Sequence, residues 1–234
     1  MLQQEFKSST TEKIPKMEIW DNPHLPSFKF QQYRCMDAEE RLPYEALAIL
    51  KNPDGTPLEN ALYFDKVRTM NGDWQIAVDK FLVPLAIKAA AEKKRLPVAV
   101  NLHLVTLFEP GFLQEIERVI TEAGITKKDV MLEIVEPHVP TPEQAESLKD
   151  ISSRTNEKGF TLIIDDHDFQ TGQDRLRLLA PYCEMVKIEM CHAPDCFEIL
   201  RREYPHLKIV LERVTFNDRE KVFETYPGVL VQGI

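Results

Sequence analysis

The sequence predicts an α/β protein in which about eight short strands close into a β/α barrel. Three observations carry that expectation. From about residue 74 onward, short apolar runs alternate with amphipathic runs of helical spacing, the rhythm of a mainly parallel sheet wrapped by helices. Almost every apolar run carries one charged or amide residue at a comparable place. The chain also has only eight glycines and no glycine-rich phosphate loop, which an open doubly wound sheet usually shows after its first strand.

Taken in order, residues 1–25 are polar and dotted with proline and read as an arm or linker, and 26–234 read as the barrel domain. Trp20 of the arm has two open readings, packing on the barrel or on a partner. "FKFQQYRC" and "YEALAILKN" read as two strands around a turn. "DWQIAVDKFLVPLAIKAAAEKKR" has helical spacing and ends in a basic turn, and "LPVAVNLHL" reads as a buried strand. "EPGFLQEIERVITEAG" is a helix with proline near its start and glycine at its end. "DVMLEIVE" is a strand, followed by a helix opened by Thr141 and closed by Gly159. "FTLIIDD", "CEMVKIEM" and "LKIVLERV" are strands, each followed by a helical run: "TGQDRLRLLA", "APDCFEILRREY" and "NDREKVFETY". "GVLVQGI" is a last strand.

The 234 residues, 43% of them hydrophobic, suffice for one large core. A net charge of −9 argues against a nucleic-acid polymer or a membrane surface as partner, yet leaves room for a small phosphate ligand. No run approaches the roughly 18 apolar residues of a membrane span. The N-terminus lacks the apolar core of a signal peptide, so the expected location is cytoplasmic. Cys35, Cys183, Cys191 and Cys196 show no disulfide framework, and no C-x-x-C pair supports zinc.

In a β/α barrel the active site lies at the C-terminal ends of the strands. Those ends carry Glu45, Asn101, Glu133 with Glu136, Asp165 with Asp166, Lys187 with Glu189, Glu212 and Gln232. So many acids in one mouth repel each other unless a cation joins them. All the donors are oxygens, which selects a hard ion, Mg²⁺ or Mn²⁺. Asp165 and Asp166 can divide or bridge two ions, and two-metal sites suit phosphoester hydrolysis, with Lys187 holding water or neutralising charge. The bland reading is a barrel whose acids pair with lysine and arginine. His103 and His138 read as rim or core histidines.

These segments resemble, in order and spacing over about residues 28–234, the EAL domains, bacterial signalling phosphodiesterases that hydrolyse cyclic di-GMP to linear pGpG. "YEALAIL" carries the name motif at Glu45-Ala46-Leu47. "VNLHL", "LEIVE", "IDD", "VKIE", "LERV" and "VQGI" are similar to the family's further segments. The resemblance implies a TIM-like barrel with an antiparallel first strand. It implies that Glu45, Asn101, Glu133 and Asp165 ligate one Mg²⁺ or Mn²⁺, and that Asp165, Asp166 and Glu212 serve a second. Lys187 and Glu45 would act in catalysis, Lys187 on the attacking water. Gln31, Gln232 and Asp79 would bind substrate, Asp79 matching a family acid near the site, and a homodimer is the implied assembly.

The chain also departs from the family pattern. Ile49 stands where the family has a phosphate-gripping arginine, His167–Gly172 replaces a shorter glycine loop, and Thr215 replaces a glutamate. The sequence stops at Ile234, where the family continues into a closing helix. Two function classes follow: a metal-dependent phosphodiesterase, or a regulatory module that binds cyclic di-GMP or a protein partner without turnover.

Overall fold

The structure, a computed structural model, describes residues 19, 22–36, 41–135, 139–165 and 172–233. Eight strands form one sheet: β1 (Ser27–Gln32), β2 (Tyr44–Ile49), β3 (Val98–His103), β4 (Val130–Val135), β5 (Thr161–Ile164), β6 (Met185–Glu189), β7 (Lys208–Glu212) and β8 (Leu230–Val231). Each pairs with its neighbour in the chain, β1 antiparallel to β2 and every later pair parallel. The ring closes where Arg34, just past β1, bridges Val231 of β8, N–H to carbonyl in both directions at 2.9 and 2.8 Å. The expected barrel and its antiparallel first strand are both present.

Helices fill the connections: α1 (Asn60–Thr69), α2 (Gly72–Glu92), α3 (Leu104–Leu107), α4 (Phe112–Glu122), α5 (Pro142–Ser147), α6 (Gln173–Leu179), α7 (Ala193–Glu203) and α8 (Arg219–Thr225). Helix α2 shows why these runs fold as they do. The Asn71 side chain caps its start by accepting from the Trp74 N–H, and Val78, Leu82, Val83, Ala86, Ile87 and Ala90 recur at helical spacing to make its buried stripe. Helix α1 follows the proline- and glycine-containing loop after β2, in a segment to which the sequence reading assigned no element. Ile19 of the arm is buried with Leu50, Val67, Val78 and Leu82; Trp20 lies outside the described residues.

One predicted helix is much shorter than expected. Thr141 does open it, with a capping box to Gln144, but α5 ends at Ser147 and a 3-10 turn follows. The next residues satisfy the backbone through side chains instead. The Thr155 hydroxyl donates to the Lys149 carbonyl at 2.5 Å, and the Asn156 amide donates to the Asp150 carbonyl at 3.0 Å. Ser, Thr and Asn compete with a helix in this way. Gly159 then lets the chain pass against Ser152, where a Cβ would lie 2.3 Å from a backbone carbon.

Strand alternation sorts the barrel interior into layers. Ala99, Ile163, Met185, Val210 and Leu230 form a buried apolar cluster with Tyr33 and with the partly buried Met131. Two residues further along the same six strands stand Asn101, Asp165, Lys187, Glu212, Gln232 and Glu133. An apolar layer therefore lies under a polar one, while Val100, Leu132, Ile164, Val186 and Leu211 point outward into the core shared with the helices.

Candidate active site

Lys187 is the centre of the polar layer. It is 1% exposed, and its ammonium lies 3.1 Å from Glu45 Oε2, 3.0 Å from Asp165 Oδ1 and 2.9 Å from Glu212 Oε1, and also contacts Glu133 Oε1. These four carboxylates come from β2, the end of β5, β7 and β4. The Asn101 amide donates to Glu45 Oε1 at 2.8 Å, and the Gln232 amide donates to Glu45 Oε2. Tyr33, fully buried, donates its hydroxyl to Glu133 Oε2 at 3.3 Å.

Electrostatics follow from burial and from four acids facing one base. Burial, reinforced by the charge of Glu45, holds the Glu133 carboxyl well above the ordinary carboxylate range. Burial acts in the same direction on Asp165, but Lys187 outweighs it and holds Asp165 below that range. For Lys187, burial works against the charged form, and Asp165, Glu133 and Glu45 overcome it, so the amine stays a firmly protonated donor. Burial next to Glu133 raises the Tyr33 hydroxyl, which remains neutral.

The backbone beneath these acids is clamped by Arg175 of α6, 1% exposed, whose guanidinium donates to the carbonyls of Asp165 at 2.9 Å and Ile134 at 2.6 Å. Sequence reading passed over Arg175 because an arginine in a helical run usually faces solvent, as Arg177 does here. Tyr33 was legible in principle, standing two residues past Gln31 and so on the same face of an extended chain.

A cavity of about 730 Å³ opens onto the cluster. Its polar floor includes Glu45, Asn101, Asp165, Lys187, Glu212 and Gln232, and one wall is apolar, with Phe28, Phe64, Leu82 and Val83. Gln31 also borders it and donates its amide to the carbonyl of Gly233. Asp79 borders it too, but its oxygens accept from the His103 N–H at 2.7 Å and the Thr106 hydroxyl at 2.5 Å, with His103 Nδ1 at 3.1 Å. Two arginines reach the same cavity: Arg68 of α1, 3.7 Å from Asp65, and Arg213, 3.0 Å from Glu189. Arg213 has φ +57°, a left-handed backbone that favours glycine. Ile49 is exposed and does not border the cavity. Asp166, Glu136, His138 and residues 167–171 lie outside the described residues, so one implied ligand of the second ion and most of the altered loop do too, while Asp165, implied for both ions, is described. Thr215 is described, and its hydroxyl donates to Asp218.

Among the described residues no three histidine, cysteine or acidic side chains are arranged to hold a metal ion, because the Lys187 ammonium takes the central place. The donor chemistry nevertheless fits a hard cation. Four carboxylates face a single ammonium, which leaves the cluster an excess of negative charge. Asn101 Oδ1 is buried beside them without a hydrogen-bond partner, as is Gln232 Oε1. Oxygen donors of this kind suit Mg²⁺ or Mn²⁺.

No helix among the described residues is long and apolar enough to cross a membrane. No curated protein matches the chain. Among solved structures it is similar to the PaMucR phosphodiesterase in complex with c-di-GMP, at 16% identity and a TM-score of 0.68, covering 89% of each chain. It is similar to the FimX EAL domain from Pseudomonas aeruginosa bound to c-di-GMP, at 16% identity and a TM-score of 0.67, covering 89% of this chain and 88% of that one. Klebsiella pneumoniae BlrP1, in a manganese and cyclic di-GMP complex, matches at 20% identity and a TM-score of 0.66 over 89% of this chain. The chain spans 54% of BlrP1 and 61% of the EAL enzyme Bd1971. The family model for the EAL domain matches residues 24–190, well over half of the sequence, and the chain therefore belongs to the EAL domain family.

Proposed function

We propose that the chain is a metal-dependent phosphodiesterase that hydrolyses cyclic di-GMP to linear pGpG. The observation that carries this reading is the convergence of Glu45, Glu133, Asp165 and Glu212 on Lys187, with the bare Asn101 Oδ1 beside them, at the floor of an open cavity. It is supported by family membership and by neighbours solved with cyclic di-GMP.

Glu45, Asn101, Glu133 and Asp165 would hold one Mg²⁺ or Mn²⁺, and Asp165, Asp166 and Glu212 a second. Bound there, such ions acidify a water and offset charge on the phosphate oxygens. The protein's own groups do the rest. Lys187 keeps its protons and so acts as a donor that holds the attacking water; the proton that water loses passes to a carboxylate of the cluster. Water's oxygen bonds to phosphorus, the P–O3′ bond breaks, and the leaving 3′ oxygen takes up a proton. Gln232 and Gln31, at the floor and edge of the cavity, contact the substrate. Asp79, with its oxygens already engaged, holds His103 and the start of α3 in place.

A second reading, a module that binds cyclic di-GMP or a protein partner without turnover, is favoured by the Lys187 ammonium at the centre of the acids and by Ile49 facing solvent. Incubation with cyclic di-GMP and Mg²⁺ or Mn²⁺, followed by chromatography for pGpG, separates the two. Product is expected from the parent protein and none from Glu45→Ala or Lys187→Ala. Binding with no product under either ion would leave the regulatory module standing and remove the enzyme.

A further inference from the structure

We propose that Arg213 is the residue that grips a phosphate of the cyclic dinucleotide at the cavity mouth. The proposal rests on the cyclic di-GMP reading above and adds the group that recognises the ligand's negative charge. An anion approaching this cavity meets a floor of four carboxylates, and the cation among them, Lys187, is buried and surrounded by them. Among the described residues, the lysine and arginine side chains bordering the cavity besides Lys187 are Arg68 and Arg213. The end of β2 offers no substitute, because Ile49 carries no charge and is not among the residues that border the cavity.

Arg213 is the better placed of the two. It follows Glu212 directly, so its backbone is one residue from a carboxylate that contacts Lys187 at 2.9 Å. Arg68 sits on α1, beside the apolar wall. The Arg213 side chain is 69% exposed and is steadied from one side by Glu189, with Nη2 3.0 Å from Oε1. Glu189 pairs with Glu212 across β6 and β7, so the strand register that sets the acid also sets the arginine's anchor. A guanidinium presents five donors in a planar fork, and Glu189 engages only one side of it, leaving donors for phosphate oxygens.

The backbone adds a separate observation. At φ +57°, a position that glycine occupies without strain, this chain carries an arginine. A side chain kept where glycine fits better points to something the side chain does.

The same conformation supplies the test, since Arg213→Gly relieves the backbone and keeps the fold. Cyclic di-GMP is titrated calorimetrically into the parent protein, Arg213→Gly and Arg213→Lys, in EDTA to prevent turnover, at low and high salt. Guanosine, which lacks phosphate, is the control. Arg213→Gly is expected to weaken cyclic di-GMP binding about tenfold or more at low salt, with a smaller loss for lysine and no change for guanosine. The difference should shrink as salt screens the exposed contact. Equal affinity of parent and Arg213→Gly overturns this inference and leaves the cyclic di-GMP reading intact. Absence of cyclic di-GMP binding by the parent protein in EDTA, together with neither binding nor pGpG when Mg²⁺ or Mn²⁺ is supplied, removes both.

Discussion

Replacing Lys187 by methionine asks how much one ammonium does for the four acids around it. Its Nζ lies 3.1, 3.0 and 2.9 Å from Glu45, Asp165 and Glu212, and it also contacts Glu133. Each such pair attracts by about 5–6 kcal/mol in gross terms at an effective dielectric of about 20. Most of that is offset, because desolvating the ammonium costs several kcal/mol and the carboxylates repel one another. Removing one partner from a buried ion pair costs about 3–5 kcal/mol net. For a chain of this length each kcal/mol moves the melting midpoint by about 2–4 °C, so K187M in EDTA should melt about 6–20 °C below the parent protein. Methionine is similar in length, so the loss reflects charge rather than a void. Mn²⁺ should restore more stability to K187M than it adds to the parent, because the cation then has no ammonium to displace. Scanning fluorimetry in EDTA and in excess Mn²⁺ reads both effects. A midpoint within about 2 °C of the parent in EDTA would refute the reasoning that ion pairing to Lys187 holds the cluster.

Two further outcomes follow from the packing. Gly159→Ala places a methyl 2.3 Å from the Ser152 backbone, which cannot yield as a flexible side chain would, so urea unfolding should show a loss of about 1–3 kcal/mol. Arg175→Met strands the carbonyls of Ile134 and Asp165, and a drop of about 2–5 kcal/mol in the same assay is expected, with Arg175→Lys recovering part of it.

Much of the site was legible in the sequence because a strand has a period of two. Once "VMLEIV", "LIID", "MVKIE" and "IVLE" are taken as strands, Glu133, Asp165, Lys187 and Glu212 each fall on the same face as the apolar residue two before them, and parallel register brings the polar ones together. Lys187 is expected from the sequence to hold water or to neutralise charge. That it ion-pairs with four carboxylates at once depends on register between strands far apart in the sequence, which no single segment contains. The bonding of Asp79 was also not in its own segment: its oxygens are engaged by His103 of β3 and Thr106 of α3. The stretch after Thr141 shows the opposite limit. Its first turn carried a clear capping signal, but where the helix ended was decided by Ser, Thr and Asn side chains bonding to the backbone, and by Gly159 closing against Ser152.

The sheet is assembled almost wholly from neighbours in the chain, since each strand lies beside the one before it. The exception is the seam between Arg34 and Val231, backed by Gln31 reaching Gly233 and Gln232 reaching Glu45 across 187 positions. Closing so long a loop carries an entropy cost that none of the local pairings bears. That seam brings the last of the polar floor into place, for without it Gln232 has no Glu45 to meet. An opened seam is therefore also a dismantled floor: the most distant join among the described residues and the completeness of the carboxylate cluster rise and fall together.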